Sequence, residues 1–198
     1  MEQALLLQFD EIFHHCFQLF QAKNSDYGPT WLLYRHTSLN DELWRKAKRI
    51  RTLEEHHDQS CIPEGRDVEY VGIINYCIMF LIRLENAEGI PSVDAVMENI
   101  ATLDSVNSDT LYRAYQTHIA QVKELLIQKN TDYGDAWKSM SLTSMTDQVI
   151  VRIYRIRKLL EHEGQSILSE GITAQLHDII NYCIFALIKM EFKSSLPS

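Results

Sequence analysis

An internal duplication constrains this chain more than any other feature of its sequence. Residues 129–137 read Lys-Asn-Thr-Asp-Tyr-Gly-Asp-Ala-Trp, and residues 23–31, which begin 106 positions earlier, read Lys-Asn-Ser-Asp-Tyr-Gly-Pro-Thr-Trp. With the same offset and no gap, residues 23–85 and 129–191 share 28 identities in 63 positions. A fixed internal period indicates one structural unit made twice, and it has to be considered before any local pattern.

Apolar residues recur at three- and four-residue spacings within each copy, which is typical of amphipathic helices. In copy one we predict helices over residues 3–22, 41–57 and 66–86; in copy two, over residues 109–128, 147–163 and 172–192. A short connecting helix is predicted over residues 93–103. Ser38 and Ser144 each lie three residues before an aspartate, so we expect them to cap the second helix of their copy. No stretch alternates with period two, and we expect no sheet.

Three amphipathic helices per copy are too few to enclose a large core, so the two copies are expected to pack face to face. The predicted fold class is therefore all-α, a helical bundle built from two tandem repeats related by a pseudo-two-fold axis. The predicted units are residues 1–88 (repeat 1), residues 89–108 (a linker with a short helix) and residues 109–198 (repeat 2). We expect the two repeats to pack as one domain.

Composition excludes several classes of partner. A formal charge of -8 argues against a general nucleic-acid surface, because phosphates are neutralised by basic patches. There is no run of about 18 apolar residues and no basic segment followed by an apolar one at the N-terminus, so we expect neither a membrane span nor a signal peptide. The four cysteines form no C-x-x-C pair, and buried thiols in a reducing cytoplasm are the expected state. The predicted location is cytoplasmic.

The two Lys-Asn-x-Asp-Tyr-Gly turns are the first candidate site, and they have two interpretations. Asn and Gly accept positive φ and Asp bonds its own backbone, so the motif suits a turn that ends a helix. Such a turn needs neither the lysine nor the later tryptophan, whereas an ammonium beside aromatic rings suits a nucleotide. The candidate substrate-binding residues here are Lys23, Asn24, Asp26, Tyr27, Lys129, Asn130, Asp132, Tyr133 and Trp137.

Two further groups are equivalent in both copies. Asn75 and Asn181 lie within identical Ile-Ile-Asn-Tyr-Cys-Ile stretches, so we expect them to be buried. A buried amide has to be hydrogen-bonded, either to another helix or, in the functional interpretation, to a base. The second helices are basic, and Arg155 is a candidate phosphate ligand, although most such charges form a solvated face.

Acidic residues around the third helices suggest a magnesium site, since a hard divalent cation needs several oxygen ligands. The candidates are Glu64 and Glu69 in copy one and Glu170 and Asp178 in copy two; copy one has Gly72 where copy two has Asp178. Neither copy alone offers a full set, but two facing copies could form one composite site, centred on copy two. The alternative interpretation is that these are solvated acids at helix ends.

The repeated Lys-Asn-x-Asp-Tyr-Gly-x-x-Trp motif, the basic Arg-Ile helix and the run Glu170-x7-Asp178-Ile-Ile-Asn181-Tyr182 resemble the nucleotide-modification-associated domain of phages and bacteria, a domain of unknown function often found in tandem. That domain resembles in turn the all-α nucleotide pyrophosphatases of the MazG and dimeric dUTPase type. The resemblance implies Glu170 and Asp178 as catalytic magnesium ligands. The chain departs from the pattern, because the Glu-x-x-Glu pair of the second helix is absent and the Glu-x-x-Asp pair is broken in both copies.

Two hypotheses about function follow. The first is a magnesium-dependent pyrophosphohydrolase of nucleoside triphosphates with one composite site, in which the metal bridges phosphate oxygens and activates a water. The second is a non-catalytic nucleotide-binding or assembly protein with degenerate metal sites, since fold does not imply function. The predicted partner is a nucleotide or nucleoside phosphate, which the assembly alternative does not require, and both hypotheses are compatible with a homo-oligomer.

Overall fold

The computed structural model describes residues 3–56, 58, 64–134, 136–162 and 171–192, without the side chains of residues 130–133. These residues form seven α-helices and no β-strand. The helices are α1 (Gln3–Tyr27), α2 (His36–Glu55), α3 (Arg66–Glu85), α4 (Val93–Glu98), α5 (Ser108–Tyr133), α6 (Leu142–Glu161) and α7 (Ile172–Lys189). Three 3-10 turns, Thr30–Leu33, Ile100–Thr102 and Ala136–Ser139, separate some of them. The all-α prediction is confirmed.

The two repeats face each other across a pseudo-two-fold axis, as the duplication predicts. Helices α1, α2 and α3 correspond to α5, α6 and α7, and each helix contacts its own equivalent. Two ion pairs show the same reciprocity. Arg51 lies 3.6 Å from Asp147, and Arg157 donates to Asp41 over 3.0 Å, so each repeat's arginine reaches the equivalent aspartate of the other repeat.

Helices α3 and α7 form the centre of the bundle. Apart from a few polar positions, both are apolar on all sides, which is typical of a helix enclosed by other helices. Their buried residues join those of the outer helices in one hydrophobic cluster that spans both repeats. The third helices therefore provide the floor on which any site between the helices is built.

Helices α1 and α5 extend further than we predicted. Both were expected to end before the Lys-Asn motif, at residues 22 and 128, but they continue to Tyr27 and Tyr133. In α1 the Asn24 side chain donates to the Phe20 carbonyl one turn earlier, over 2.8 Å, so the asparagine bonds within the helix. Gly28 and Gly134 follow with φ of 65° and 59°, positive values that glycine adopts at low cost and at which the helix ends.

The predicted caps of the second helices were wrong. Helix α2 begins at His36 and α6 at Leu142, so Ser38 and Ser144 lie inside the first turn. In α6 the cap is Ser141, whose hydroxyl accepts from the Ser144 backbone N–H over 3.0 Å. The aspartates expected to complete the caps instead form the reciprocal ion pairs between the repeats. The connecting segment also differs, because α4 ends at Glu98 and a separate 3-10 turn follows.

Cys16, Cys77 and Cys183 are buried free thiols, as predicted, and burial raises the pKa of all three. Cys61 lies outside the described residues. Within the described part of the chain, none of the helices combines the length and apolar character needed to cross a lipid bilayer.

Asn75 and Asn181 are both buried, as predicted, and each is 5 % exposed. Their hydrogen-bond partners differ. The Tyr115 hydroxyl of α5 donates to the Asn75 carbonyl oxygen. The residue equivalent to Tyr115 in repeat 1 is Phe9, which has no hydroxyl, and its ring lies 6.2 Å from that of Phe185, one turn beyond Asn181. Among the described residues, the buried carbonyl oxygen of Asn181 has no hydrogen-bond partner.

Phe9→Tyr is expected to supply the missing donor to Asn181. A buried acceptor without a partner is costly, and one intramolecular hydrogen bond stabilises a protein by about 1 kcal/mol. Urea unfolding should therefore show a free energy of unfolding that is higher by about that amount. A variant less stable than wild type would show that the bundle has no room for the hydroxyl beside Asn181.

Candidate functional site

A cavity of about 460 Å³ opens in repeat 1, between the end of α1, the 3-10 turn that follows, α2 and α3. Three cationic side chains line it, those of Lys23, Arg45 and Lys46. Five aromatic rings also line it, those of Phe20, Tyr27, Trp31, Tyr34 and Tyr76. Of the residues that the structure describes, no carboxylate is part of this lining. The cavity is therefore cationic and aromatic in a chain whose overall charge is negative.

The Lys-Asn motif of repeat 1 forms one wall of this cavity and holds the Trp31 indole in place. The Trp31 indole N–H donates to the Asn24 carbonyl oxygen over 3.1 Å, while the Asn24 amide bonds the Phe20 carbonyl. Both ends of the Asn24 side chain are thus used within the protein. Trp31 is 6 % exposed, whereas Tyr27 at the end of α1 is 70 % exposed and lies at the mouth of the cavity.

A buried ion-pair cluster lies at the α2 side of the cavity. Lys46 donates to Glu69 over 2.9 Å, and Arg49 donates to the other oxygen of the same carboxylate. The Lys46 chain crosses directly over Gly72, where an added Cβ would lie 2.7 Å from the ammonium nitrogen. Because residue 72 is a glycine, the Lys46 side chain can cross α3 here, and residue 72 places no side chain in the cavity.

The equivalent position in repeat 2 is filled by the chain itself. Gly72 corresponds to Asp178, and the Asp178 carboxylate accepts from Lys129 and, over 3.0 Å, from Arg152. Lys129 and Arg152 correspond to Lys23 and Lys46. The Arg152 guanidinium also lies over the Tyr182 ring, 4.7 Å from its centroid. Repeat 2 thus holds an internal anion between the same two cationic positions that face the cavity in repeat 1.

Two further differences distinguish the repeats. In repeat 2 the Phe185 ring stacks on Trp137, with centroids 4.5 Å apart and planes 8° from parallel, whereas repeat 1 has Met79 at the position of Phe185. Arg45 corresponds to Val151, and it pairs over 2.6 Å with Glu42, whose equivalent in repeat 2 is the uncharged Gln148. Repeat 1 therefore lacks the ring stack of repeat 2 and has an Arg45–Glu42 ion pair that repeat 2 lacks.

Comparison with known proteins supports this internal pairing. A family model described as nucleotide modification associated domain 1 matches residues 23–84 and again residues 129–190. The chain is a tandem member of that family. No curated protein and no solved structure matches the chain. The further likeness to MazG-type pyrophosphatases stays a hypothesis.

The remaining predicted site residues of the two domains are dispersed. Asn75 lines the cavity, while Asn181 is buried in repeat 2. Asp26 is exposed in the last turn of α1, and Arg155 is exposed on α6. Glu64 is exposed at the start of α3, 3.8 Å from Arg49. The side chains of Asn130, Asp132 and Tyr133, and the whole of Asp135 and Glu170, lie outside the described residues.

The described acids of the tandem domain do not fit a magnesium ion. Glu69 and Asp178 each accept from two cationic side chains, which neutralise the carboxylate and would repel a divalent cation. Nowhere in the described ranges do three or more His, Cys, Asp or Glu side chains come close enough to hold a metal. The composite magnesium site therefore stays a prediction that depends on Glu170, and we derive no catalytic step through a metal.

The site residues predicted from the sequence did not include Gly72, Lys46 or Tyr115. The alignment of the repeats contained a signal for the first two, because it pairs Gly72 with Asp178 and Lys46 with Arg152. Tyr115 has no such signal, since it precedes the matched segment. Its role follows only from the packing of α5 against α3.

Glu69→Gln is expected to destabilise the domain in a pH-dependent way. Burial alone would raise the pKa of Glu69, but the hydrogen bonds from Lys46 and Arg49 together lower it below the ordinary 4.5. The stabilisation by ionised Glu69 is therefore complete above about pH 5 and is lost as the pH falls through the lowered pKa. Urea unfolding should show a loss of about 2 kcal/mol at pH 7 that shrinks below pH 4.

Glu64→Gln serves as the matched control, because Glu64 is exposed and lies farther from Arg49. It should change the free energy of unfolding by less than about 0.5 kcal/mol at every pH. A Glu69→Gln loss that is the same at pH 3 and pH 7 would contradict the ion-pair account.

Proposed function

We propose that the protein binds a nucleotide in the repeat 1 cavity, with the phosphate between Lys23 and Lys46 and the base against the aromatic wall. In this proposal the equivalent surface of repeat 2 takes no ligand, because Asp178 occupies the place of the phosphate. The site thus lies in the repeat opposite to the one on which the sequence hypothesis was centred. The protein is a binding module with one site per chain.

The position of Asp178 carries this proposal. The Asp178 carboxylate lies between Lys129 of α5 and Arg152 of α6. An anion therefore fits between these two side chains at the level of residue 178. In repeat 1 both cations are retained as Lys23 and Lys46; Lys46 also donates to Glu69, and Gly72 supplies no anion between the two lysines. A cationic cavity without a carboxylate attracts an anion from solution, and phosphate oxygens are natural acceptors for lysine ammonium groups.

The rest of the cavity suits a base. Its volume of about 460 Å³ lies in the range of small-molecule sites, which are mostly apolar with a few polar groups. The rings of Tyr34 and Tyr76 lie 6.2 Å apart, and Trp31 is fixed by Asn24. Aromatic side chains stack on any base, because every base has a π-face. Aromatic rings beside cations thus favour a nucleotide over a simple anion such as sulfate.

The charge distribution favours binding over metal-dependent hydrolysis. The acid nearest to the cavity, Glu69, is engaged by Lys46 and Arg49 and has no place in the lining. The hydrolase hypothesis has its own readout, which is pyrophosphate release that depends on magnesium. Release that is abolished by a chelator and by Lys23→Ala would replace the binding proposal with the hydrolase.

Gly72→Asp is expected to abolish nucleotide binding by giving repeat 1 the internal anion of repeat 2. The three heavy atoms nearest to an added Cβ all belong to the flexible end of Lys46, so the fold should tolerate the new side chain as it tolerates Asp178. Isothermal titration with deoxynucleoside mono- and triphosphates should give one site per chain for wild type, and at least a tenfold weaker affinity for Gly72→Asp, since a tenfold change corresponds to about 1.4 kcal/mol.

Lys23→Ala and Lys129→Ala form a matched pair at equivalent positions. Lys23→Ala should weaken binding, because it removes a cation from the cavity, whereas Lys129→Ala should leave affinity unchanged. Equal effects of the two variants, or a wild-type protein that binds no nucleotide, would contradict the proposal. Unchanged binding by a folded Gly72→Asp variant would also contradict it.

A further inference from the structure

The hydrogen bond between Tyr115 and Asn75 fixes which atoms Asn75 presents to the cavity. Tyr115 is fully buried on α5, and its hydroxyl donates to the Asn75 carbonyl oxygen. Within the part of the chain that the structure describes, the hydroxyl has no other acceptor. If the amide were rotated by 180°, two donors would face each other or the tyrosine proton would lack a partner, and a buried donor without a partner is costly.

The orientation of the Asn75 amide follows from this constraint. Its oxygen points to Tyr115, so its nitrogen, which carries two N–H donors, is the group that faces the cavity. Asn75 lies one helical turn after Gly72 on the same face of α3, and thus one turn away from the proposed phosphate position. A nucleotide that places its phosphate beside Gly72 brings its base to Asn75.

We propose, on the basis of the proposed nucleotide site, that the Asn75 amide donates to the base and selects one that presents a carbonyl oxygen towards α3 over one that presents an amino group there. Tyr115 is the positioning residue of this selection, and it comes from the other repeat. The repeat 1 site is therefore built from both halves of the chain.

The hydrogen-bonding groups of the two kinds of base account for the selection. A carbonyl oxygen accepts from the Asn75 amide, whereas an amino group directs its own donor at another donor. A site that is built to hydrogen-bond one group leaves its own polar group unpaired when the analogue binds, and this penalty adds to the lost bond. The amide cannot adapt by rotation, because Tyr115 holds its oxygen.

Repeat 2 contains the natural counterexample. Asn181 is as buried as Asn75, but Phe9 stands in place of Tyr115 and donates no hydrogen bond. The Asn181 carbonyl oxygen accordingly has no partner among the described residues. The hydroxyl that orients the amide is thus present only beside the open cavity.

The experiment compares two matched pairs of ligands by isothermal titration. Deoxyuridine and deoxycytidine monophosphates differ in carbonyl against amino at one ring position and in N–H against an unprotonated nitrogen beside it, as do deoxyinosine and deoxyadenosine monophosphates. In at least one pair, wild type is expected to bind the carbonyl member at least about tenfold more tightly. Tyr115→Phe should bring that ratio close to one, because the amide can then present either end.

Two variants complete the test. Phe9→Tyr adds a hydroxyl at the equivalent position of repeat 2 and should leave the ratio of affinities unchanged. Asn75→Asp keeps an acceptor for Tyr115 but removes both N–H donors, so the carbonyl preference should disappear or reverse. This variant decides the question if Tyr115→Phe fails to fold, which circular dichroism would show.

The outcomes separate this inference from the proposed function. If nucleotides bind to the cavity but neither pair shows a carbonyl preference, or if the preference survives in Tyr115→Phe or Asn75→Asp, the inference is overturned and the binding site stands. If wild type binds none of the four nucleotides, the proposed function and the inference fall together.

Discussion

The mutual burial of α3 and α7 is the contact on which the rest of this structure depends. Each third helix is apolar nearly all the way round, and one repeat has too few helices to cover it. Packing the two third helices against each other solves both problems at once and imposes the two-fold arrangement. The outer helices then meet in equivalent pairs, with Arg51–Asp147 and Arg157–Asp41 matching across the axis. A rigid, shared floor follows, and it fixes the height at which Gly72 and Asp178 face the cations of their own repeat.

Against that symmetric frame, small differences have large effects. One position of the third helices decides whether the chain itself places an anion between the two cations. Aspartate at 178 neutralises Lys129 and Arg152, whereas Gly72 leaves Lys23 beside an open cavity. Phe185 also stacks on Trp137, whereas repeat 1 has Met79 at the equivalent position, and both Trp31 and Trp137 are buried. The two repeats thus keep one backbone plan and differ in whether their own side chains fill it.

Much of the fold was predictable because it depends on periodicity and on the repeat. The helices, the pairing of the copies and the burial of Asn75 and Asn181 all follow from apolar spacing and a gap-free offset. The ends of the helices were not predictable. The hydrogen bond from the Asn24 side chain to the Phe20 carbonyl lengthens α1, and the aspartates that were expected to cap α2 and α6 form ion pairs with residues far away in sequence. The candidate site was the least predictable part. A lone acid such as Asp178 suggests a metal ligand in sequence, but in space two cations surround it. Tyr115 touches Asn75 only because α5 packs on α3.

The hydrogen bond from Tyr115 of repeat 2 to Asn75 of repeat 1 bears on how such a protein can diverge. In a homodimer, every substitution appears on both sides of the axis, so a hydroxyl gained beside one cavity is gained beside the other, and an acid that fills one cavity fills both. Fusing the two subunits into one polypeptide removes that restriction. It also ensures that a repeat with Asp178 is always joined to a repeat with Gly72, in equal numbers and without any need for the two to recognise each other. The linker around α4 joins two different halves in one polypeptide. Its effect is that of an obligate heterodimer encoded by a single reading frame.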